Sequence, residues 1–515
     1  MYALTFSNKN KKGIEDMNGM NRREFLGALA AFGAFGAARP LFAAPGFKGA
    51  RPNLVLGVLS DIHLSLKKND DGSLSFAGEE MFKKALLWYR ERGVDGVLVC
   101  GDMADRGTIE ELEAVSRAWY SVFPDGKAPD GRRVEQLFVY GNHDYEGYRY
   151  GGKVKAVFGE KYFDHAIGKD LAAAWKKCFH EDYSPVWRKE INGYSVIGAH
   201  WIQDRCRAAE EKGACHAAGW FEKNGASLDP SKPFFYLQHP PPKGTCHCDW
   251  VWGHDNGLVT EALSKFRNAV AFSGHSHASI NDERAIWQGA FTSIGAGSLK
   301  YTGLEYGDVK PFGRENDAPV GNLRGGDPFK IMGKMKTGDG HQGMIVSVYD
   351  DRMEFDRRDF EDLGRLGENW VVPLPAADPM PFTVARRAAA SIPPQFPEGA
   401  ALEVRKTTGR NRGGKGVKAE KVPVLEITIP PANGKAGARA LDYAIKIGGE
   451  NGAMDERCVF AEAFYRSESG GKANVPTVCK LPMKRLKAKG KLKIDVFARN
   501  SFGKAGTPIT IEFAG

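Results

Sequence analysis

Short apolar runs alternate with polar loops and helical segments between residue 53 and about residue 270. Five runs have the length and composition of strands: Leu54 to Leu59, Val94 to Val99, Leu137 to Tyr140, Phe234 to Leu237 and Ala269 to Phe272. Between the second and third runs, apolar residues recur at helical spacing: Ile109, Leu112, Val115, Trp119 and Val122. Strands that alternate with helices predict an α/β sandwich with a substantially parallel core.

Two further segments predict antiparallel pairing within the same fold. Residues 194–199 follow the turn-forming pair Asn192-Gly193, which is typical of a hairpin arm. Residues 343–349 lead into Asp350-Asp351, and we expect them to pair with residues 353–357. The sheets are therefore expected to be mixed. Residues 300–340 are rich in glycine and polar groups without periodicity, which predicts a long functional loop or cap.

The sequence changes character after Trp370. Repeated prolines over residues 366–400 predict a linker between two domains, residues 50–365 and residues 401–515. Beyond the linker we find only strand-like segments: Ala401 to Lys406, Val424 to Ile429, Leu441 to Ile447, Val459 to Tyr465, Lys491 to Ala498 and Ile509 to Phe513. They predict a smaller all-β sandwich. Its ending, Val496 to Gly503, resembles the last hairpin of fibronectin type III or immunoglobulin-like domains.

Residues 1–44 have the layout of an export signal. Basic residues, including the pair Arg22-Arg23, precede an apolar run from Phe25 to Ala38, and small residues follow at Ala43-Ala44. The paired arginines resemble the twin-arginine signal. The apolar run would span about 21 Å as a helix, short of the roughly 30 Å hydrocarbon core, which disfavours a transmembrane anchor. We expect a periplasmic or extracellular protein with no transmembrane domain after cleavage; an uncleaved tether and a mobile basic tail are the alternatives.

The positive charge is confined to the C-terminal part of the chain. The formal net charge is +9, and residues 401–515 hold 22 Lys and Arg against 11 Asp and Glu, whereas the remaining residues hold 50 against 52. A basic domain could bind an anionic polymer or a cell surface. The alternative is an ordinary solvated face, for example at residues 484–489.

Polar side chains with metal-binding chemistry follow the predicted strands. In chain order the groups are Asp61-Ile62-His63, Gly101-Asp102-Met103-Ala104-Asp105, Gly141-Asn142-His143-Asp144, His239 and Gly274-His275-Ser276-His277. Carboxylate, imidazole and amide oxygen are ligands of first-row divalent metals, and the carboxyl ends of neighbouring strands bring such loops together. The glycines before Asp102, Asn142 and His275 are expected to permit a sharp turn that aims the next side chain into the cleft.

In this order, the five groups resemble the signature of the calcineurin-like metallophosphoesterase superfamily: D-x-H, G-D-x-x-D, G-N-H-[DE], H and G-H-x-H. The resemblance extends from about Asn53 to Phe360, and all five groups are intact. It implies a four-layer α/β sandwich with mixed sheets. It also implies a centre of two divalent metal ions, for which Mn, Fe, Zn and Co all suit the ligand types.

The resemblance also implies which residues hold the ions. One metal ion would be held by Asp61, His63, Asp102 and His277, and a second by Asp102, Asn142, His239 and His275. Asp102 would therefore bridge them. Two such ions clamp the attacking and departing oxygens and lower the pKa of a bound water from about 15.7 towards about 7, so that hydroxide can attack at neutral pH.

Two further residues receive catalytic roles. His143, next to the ligand Asn142, is the candidate to stabilise the transition state or to protonate the leaving oxygen. Asp105 would orient the ring of His143, as carboxylates do for catalytic imidazoles. The alternative for Asp105 is the N-cap of the helix that follows. His200 and Trp201 end a strand and either line the cleft or pack in the core.

These residues predict an exported phosphoesterase that hydrolyses small phosphodiesters, nucleotides or phosphomonoesters. Purple acid phosphatases carry tyrosine where this chain has Asp105, and protein serine/threonine phosphatases carry arginine where it has Tyr140. The alternative function is a surface or polysaccharide-binding protein whose phosphoesterase domain is a scaffold. Because every assigned residue precedes Ala278, the C-terminal sandwich is expected to be dispensable for chemistry.

Overall fold

The computed structural model describes residues 51–150, 152–201, 216–246, 255–304, 330–331, 335–337, 339–411, 420–432 and 439–514. The predicted export signal and most of the glycine-rich segment 300–340 lie outside these residues. All described residues belong to one structural unit, Ala50–Gly515.

The described strands and helices follow the chain in this order. Up to residue 373 the strands are β1 (Leu54–Leu59), β2 (Ser65–Lys68), β3 (Leu74–Ala77), β4 (Gly96–Cys100), β5 (Glu135–Val139), β6 (Val186–Ile191), β7 (Tyr194–Ala199), β8 (Phe234–Leu237), β9 (Ala269–Ser273), β10 (Ile286–Gln288), β11 (Thr292–Gly295), β12 (Thr302–Leu304), β13 (Lys330–Ile331), β14 (Met335–Thr337), β15 (Gln342–Val348), β16 (Arg352–Asp359), β17 (Gly364–Arg365) and β18 (Trp370–Pro373). The later strands are β19 (Glu403–Asn411), β20 (Glu420–Ile429), β21 (Asp442–Gly449), β22 (Met454–Phe460), β23 (Thr477–Pro482), β24 (Leu492–Arg499) and β25 (Ile509–Phe513). The α-helices are α1 (Glu79–Glu91), α2 (Ile109–Val122), α3 (Asn142–Glu146), α4 (Gly152–Phe158), α5 (Leu171–Phe179), α6 (His216–Asn224), α7 (Leu258–Leu263) and α8 (Val384–Ala390).

Two mixed sheets pack face to face. The first has the order β17-β16-β15-β1-β4-β5, with β18 paired to β16, and the second has the order β10-β11-β9-β8-β7-β6. Strands β1, β4 and β5 are parallel, as are β7, β8, β9 and β11. The pairs β1–β15, β6–β7 and β10–β11 are antiparallel. Buried side chains of both sheets meet between them, among them Val58, Leu98, Phe235 and Phe272.

Helices cover the outer faces of both sheets. Leu86 of α1 and Trp119 of α2 pack with Phe138 on the first sheet, and Phe221 of α6 packs with Tyr236 on the second. Helix α2 begins at the N-cap Thr108, whose side chain forms a capping box with Glu111. The four layers confirm the predicted α/β sandwich with mixed sheets.

The C-terminal region is rich in antiparallel strands, as predicted. A five-stranded sheet, β13-β22-β21-β24-β25, and a three-stranded sheet, β19-β20-β23, enclose an apolar core. Strand β13 comes from the segment 300–340 and pairs with β22 in parallel, whereas the other pairs are antiparallel. Two details of the sequence prediction were wrong. Strand β23 was missed, and the segment predicted to run to Tyr465 ends as a strand at Phe460.

The proline-rich segment 366–400 contains secondary structure of its own. Strand β18 pairs with β16 at the edge of the first sheet, and helix α8 follows. Arg387 of α8 bonds to the backbone carbonyl of Ile286 at 3.0 Å. Among the helices that the structure describes, none combines the length and apolar composition needed to cross a lipid bilayer.

Candidate metal centre and active site

Each candidate ligand follows the carboxyl end of a parallel strand. Asp61 and His63 follow β1, Asp102 follows β4, Asn142 follows β5, His239 follows β8, and His275 and His277 follow β9. Backbone hydrogen bonds from Asp61 N to Gly101 O and from His63 N to Asp102 O tie the first two loops together. The parallel centres of both sheets thus bring the candidate ligands to one edge.

Asp61, His63 and His277 form a first cluster, whose ligand atoms lie within 4.8 Å of one another. Nε2 of His277 lies 3.1 Å from Oδ1 of Asp61. The Nε2 atoms of His63 and His277 are 3.2 Å apart. All three residues are buried. Two imidazole nitrogens and a carboxylate that converge in this way could hold a metal ion.

Asp102, His239 and His275 form a second cluster with the same spacing of ligand atoms. Nε2 of His239 lies 3.1 Å from Oδ2 of Asp102 and 3.2 Å from Nδ1 of His275. The same Asp102 oxygen lies 3.5 Å from Nε2 of His63, so one carboxylate faces both clusters. Asn142 completes the predicted set: its Oδ1 is buried and, among the described residues, has no hydrogen-bond partner.

The histidine partners leave the right nitrogens available for metal ions. Nδ1 of His239 lies 2.7 Å from the carbonyl oxygen of Cys100, and Nδ1 of His277 lies 3.2 Å from that of Tyr301. A carbonyl oxygen only accepts, so in the neutral ring, the form that binds a metal ion, the proton is on Nδ1 and the lone pair is on Nε2. With the orphaned Asn142 oxygen, this arrangement fits the chemistry of a divalent metal centre.

The ligand loops have an unusual backbone. Nine described non-glycine residues have positive φ, and five of them are candidate ligands: Asp61, His63, Asp102, His275 and His277. Such residues cost of order 1–3 kcal/mol each and persist only where the surrounding structure holds them. The sharp turns at these strand ends are therefore made largely by the ligand residues themselves.

The glycines that precede ligands differ in their roles. Gly101 has φ +91°, as a sharp glycine turn requires, but Gly141 has φ −105° and Gly274 is not among the residues with positive φ. The turn prediction was therefore wrong for the last two. They are needed for space instead, because a Cβ on Gly141 would overlap the Asp102 carboxylate and one on Gly274 would overlap Ser60 Oγ.

Carboxylates and imidazoles stabilise each other's charges in the metal-free site. Burial by itself would lower the pKa of His63, but Asp105, Asp61 and Asp102 outweigh it and raise this pKa to about 10. Burial likewise opposes the charge on His239, but Asp102 and Asp61 raise its pKa to about 9. Although burial alone would raise it, the pKa of Asp102 is held well below its usual range by His239 and His143. Metal ions would displace the imidazole protons.

His143 lies beside both clusters. One of its nitrogens lies within 4.8 Å of ligand atoms of His63 and Asp102, and its backbone N–H donates to Asp102 Oδ1 at 2.8 Å. Its Nδ1 lies 2.8 Å from the backbone carbonyl oxygen of Asp105. Burial, the largest influence, lowers the pKa of His143.

The Asp105 carboxylate lies elsewhere than expected. It is 3.3 Å from Nδ1 of the candidate ligand His63, accepts a hydrogen bond from Ser65 and pairs with Arg106 at 3.2 Å. The hydrogen-bond contact between Asp105 and the His143 ring is made by the backbone carbonyl of Asp105, so that oxygen is placed to orient the ring. The N-cap alternative for Asp105 was wrong, because Thr108 caps α2.

Three residues near the clusters lie outside the five sequence groups. The Trp201 ring lies 6.2 Å from that of His275, and the Tyr301 ring lies 4.3 Å from that of His277. Lys300 Nζ donates to His63 O at 3.1 Å. Lys300 and Tyr301 follow β11, another parallel strand, and that position was the signal available in the sequence.

The His200 side chain lies in the hydrophobic core and does not line the cleft. Its ring contacts those of Tyr140, Trp175 and Tyr183 at centroid distances of 5.1, 4.6 and 4.9 Å. Its Nδ1 accepts a hydrogen bond from the backbone N–H of Tyr140 at 3.0 Å. Of the two adjacent residues, only Trp201 lies beside the metal ligands.

A match to a known protein family agrees with the candidate metal centre. Residues 54–279 match the family model described as calcineurin-like phosphoesterase, a range that includes every candidate ligand. The match supports a metal-dependent phosphoesterase domain over these residues. No curated protein matches the sequence.

Several solved structures resemble part of the chain. A dimetal phosphatase from Danio rerio has 12% identity and a TM-score of 0.32, covering 62% of this chain and 99% of that one. A purple acid phosphatase from yellow lupin, Lupinus luteus, has 13% identity and a TM-score of 0.38, covering 62% and 55%. The Haemophilus influenzae NAD nucleotidase has 11% identity and a TM-score of 0.24, covering 62% and 49%. Similarities at these TM-scores carry no conclusion about substrate.

Proposed function

We propose that this chain is an exported hydrolase that uses two divalent metal ions to cleave phosphodiester or phosphomonoester bonds. The observation that carries the proposal is the pair of ligand clusters that share Asp102, within a domain that matches calcineurin-like phosphoesterases. When bound, the ions would lower the pKa of a coordinated water and neutralise charge on the attacking and departing oxygens.

The side chains around the two clusters would have separate roles in holding the ions and in supporting the ligands. Asp61, His63 and His277 would hold the first ion and Asn142, His239 and His275 the second, with Asp102 common to both. Mn, Fe, Zn and Co all suit these donors. The Asp105 carboxylate would keep the His63 ring in place through Nδ1, the usual role of a carboxylate behind a metal-bound histidine.

His143 would transfer the proton to the leaving oxygen. The Asp105 carbonyl would accept from Nδ1 and support the protonated ring, and Nε2 would deliver the proton. Lys300 and Trp201 lie beside the candidate ligands His63 and His275, where they would suit an anionic substrate with an apolar portion. Small phosphodiesters, nucleotides and phosphomonoesters all have that chemistry.

Metal content and a substrate panel test the proposal together. The full chain is stripped with a chelator, reloaded separately with Mn²⁺, Fe²⁺, Zn²⁺ or Co²⁺, and assayed on phosphomonoesters, cyclic nucleotides and phosphodiesters. We expect about two bound equivalents and hydrolysis of at least one class. Asp61→Asn should lose metal, whereas the control Asp130→Asn, at an exposed carboxylate paired with Arg132, should not. A chain that binds two ions and hydrolyses nothing in the panel would instead favour the scaffold alternative.

The C-terminal sandwich supports a second proposal, the binding of an anionic polymer or cell surface. Lys484, Arg485, Lys487 and Lys489 are exposed, while the intervening Leu486 and Ala488 are buried. Such a run attracts polyanions through screened Coulomb forces. Binding to polyphosphate should weaken steeply with salt, and replacement of the four basic residues by glutamine should abolish it. An unchanged affinity in the glutamine variant would leave the run as a solvated face.

Export is likewise proposed from the sequence of residues 1–44. Changing both Arg22 and Arg23 to lysine should retain the chain in the cytoplasm of a bacterial host that has the twin-arginine pathway. Cell fractionation measures this result. Unchanged export of the double variant would contradict a twin-arginine signal.

A further inference from the structure

The metal-ligand loop after β9 continues directly into a contact with the C-terminal sandwich. His277 is followed by Ala278, which is only 4% exposed and belongs to the same apolar cluster as Phe464 and Tyr465 of the sandwich. The backbone that carries two candidate ligands is thus packed against the other domain immediately beyond the second ligand.

Asn281 fixes the end of this loop to the sandwich. Its side-chain Nδ2 donates to the carbonyl oxygen of Phe464 at 2.7 Å and to that of Arg466 at 3.3 Å. Asn281 is 4% exposed, so water does not readily replace these bonds. Arg439 Nη1 also donates to the same two carbonyl oxygens, at 3.4 and 3.2 Å, so Asn281 shares these acceptors with a cation of the sandwich.

Gln342, at the start of β15, joins the same two elements. Its Oε1 accepts hydrogen bonds from Ser279 Oγ at 3.1 Å and from Ile280 N at 2.9 Å. Its Nε2 donates to the Tyr465 carbonyl oxygen at 2.7 Å. The amide oxygen of Gln342 therefore binds the ligand loop, and its amide nitrogen binds the sandwich.

Three consecutive carbonyl groups of the sandwich, at residues 464–466, thus accept hydrogen bonds from Asn281 and Gln342. The ligands His275 and His277 have φ of 67° and 51°, a conformation that the surroundings must hold in place. Within the α/β domain, the His275 N–H donates to Asp61 Oδ2 at 2.9 Å and the His277 carbonyl accepts from Gly303 N at 2.8 Å. The segment that follows is held against residues 464–466 through Asn281 and Gln342.

We propose that residues 464–466 of the C-terminal sandwich position the metal-ligand loop through Asn281 and Gln342. Asn281 and Gln342 are positioning residues, since they act through His275 and His277. The inference rests on the proposed metal centre and deepens it, because it makes the C-terminal domain part of that centre's support. It also argues against the expectation that the sandwich is dispensable for chemistry.

The experiment compares metal affinity in three full-length variants. Asn281→Ala and Gln342→Leu each break contacts with residues 464–466. Ser467→Ala is the matched control: it removes a 2.6 Å hydrogen bond from the same turn, at a residue 1% exposed, but its partner Asp362 is outside the ligand loop. Dissociation constants for Mn²⁺ are measured by competition with a chelator, and melting temperatures are measured in chelator.

We expect Asn281→Ala and Gln342→Leu to weaken binding of the more affected ion by about 10–100-fold, the size typical of outer contacts behind metal ligands. Ser467→Ala should lower the melting temperature yet leave both constants within about twofold. Wild-type affinities in all three variants would overturn the positioning role. Absence of metal from the unmodified chain is a different result, which contradicts the metal centre itself.

Hydrogen exchange of the unmodified chain provides a test that needs no variant. Coupling is reciprocal, so metal binding must also strengthen the contact between loop and sandwich. Mn²⁺ should slow exchange in peptides covering residues 278–282 and residues 461–467. Protection confined to residues 274–277 would show that the sandwich takes no part.

Discussion

The Oδ2 oxygen of Asp102 lies 3.1 Å from the Nε2 nitrogen of His239. The same oxygen lies 3.5 Å from Nε2 of His63, which belongs to the other cluster. A single carboxylate is therefore placed to serve two metal ions, whereas His239 can serve only one. This difference distinguishes the effects of removing each side chain.

Asp102→Asn should bind fewer metal ions than His239→Ala. The asparagine has a similar size but lacks the negative charge that offsets two adjacent cations. His239→Ala should lose mainly the second ion and recover partly at high Mn²⁺, with a correspondingly smaller loss of metal-dependent stability. Metal content and activity titrated against Mn²⁺ measure both effects. Equal occupancy and equal rescue would show that Asp102 is not a bridge.

His143→Ala should keep both metal ions and lose about 10²–10⁴-fold in activity, the size of an acid-base contribution. Loss of one metal equivalent in His143→Ala would make it a ligand.

Asp105→Asn should behave differently from His143→Ala, because the Asp105 carboxylate lies beside Nδ1 of His63, whereas the Asp105 backbone carbonyl, which contacts His143, is retained. We expect weaker metal binding that excess metal restores.

Much of this site was predictable because each ligand group directly follows a strand. The parallel order of β1, β4 and β5, and of β8 and β9, converts separate sequence groups into one edge. Asp61 and His277 can be identified as candidate metal ligands from their residue type and their position after a strand alone. The alternation of apolar strands and helices predicted the α/β sandwich, and the family resemblance implied its four layers.

Contacts between distant segments were not predictable in the same way. The sequence around Asn281 or Gln342 does not indicate that residues 464–466 lie against them, because such contacts depend on how the α/β sheets and the C-terminal strands pack once they have formed. The positive φ of the ligands was also not predictable, since only a few per cent of non-glycine residues adopt it, although aspartate and histidine do so more often than most. Strand β23 alternates regularly between buried and exposed positions, but it was missed because the buried Thr477 is polar and the exposed Val478 is apolar.

Gly141→Ala should abolish metal binding even though its backbone conformation suits alanine. The added Cβ would overlap the Asp102 carboxylate and approach the Asp102 backbone nitrogen, so the bridging ligand must move. Gly219→Ala is the control: it lies within α6, nothing lies within 4 Å of its Cβ, and the change should stabilise the protein by about 0.5–1 kcal/mol. Metal content and melting temperature are the measurements. Normal metal content in Gly141→Ala would mean that the Asp102 loop can relax.

His200 should make the stability of the protein depend on pH below neutrality. Burial lowers the pKa of His200 to about 3, whereas an unfolded histidine has a pKa of about 6.5. Between these two pKa values, His200 is protonated in the unfolded chain but not in the folded chain. The stabilisation is therefore fully present above about pH 6.5 and is lost as the pH falls towards 3, by about 1–2 kcal/mol between pH 6.5 and 5.

The variant His200→Asn separates this effect from other titrations. Asparagine does not titrate, and its Oδ1 can take over the hydrogen bond that Nδ1 accepts from Tyr140 N. Lost contacts with the surrounding rings will lower its stability at every pH, so only the slope is informative. Unfolding by urea in chelator, at half-unit steps from pH 7 to 5, should give a shallower decline for His200→Asn than for the wild type. His216→Asn, at an exposed position on α6, should keep the wild-type slope. Equal slopes in all three proteins would mean that His200 accepts its proton without unfolding, and hence that water reaches the aromatic cluster around it.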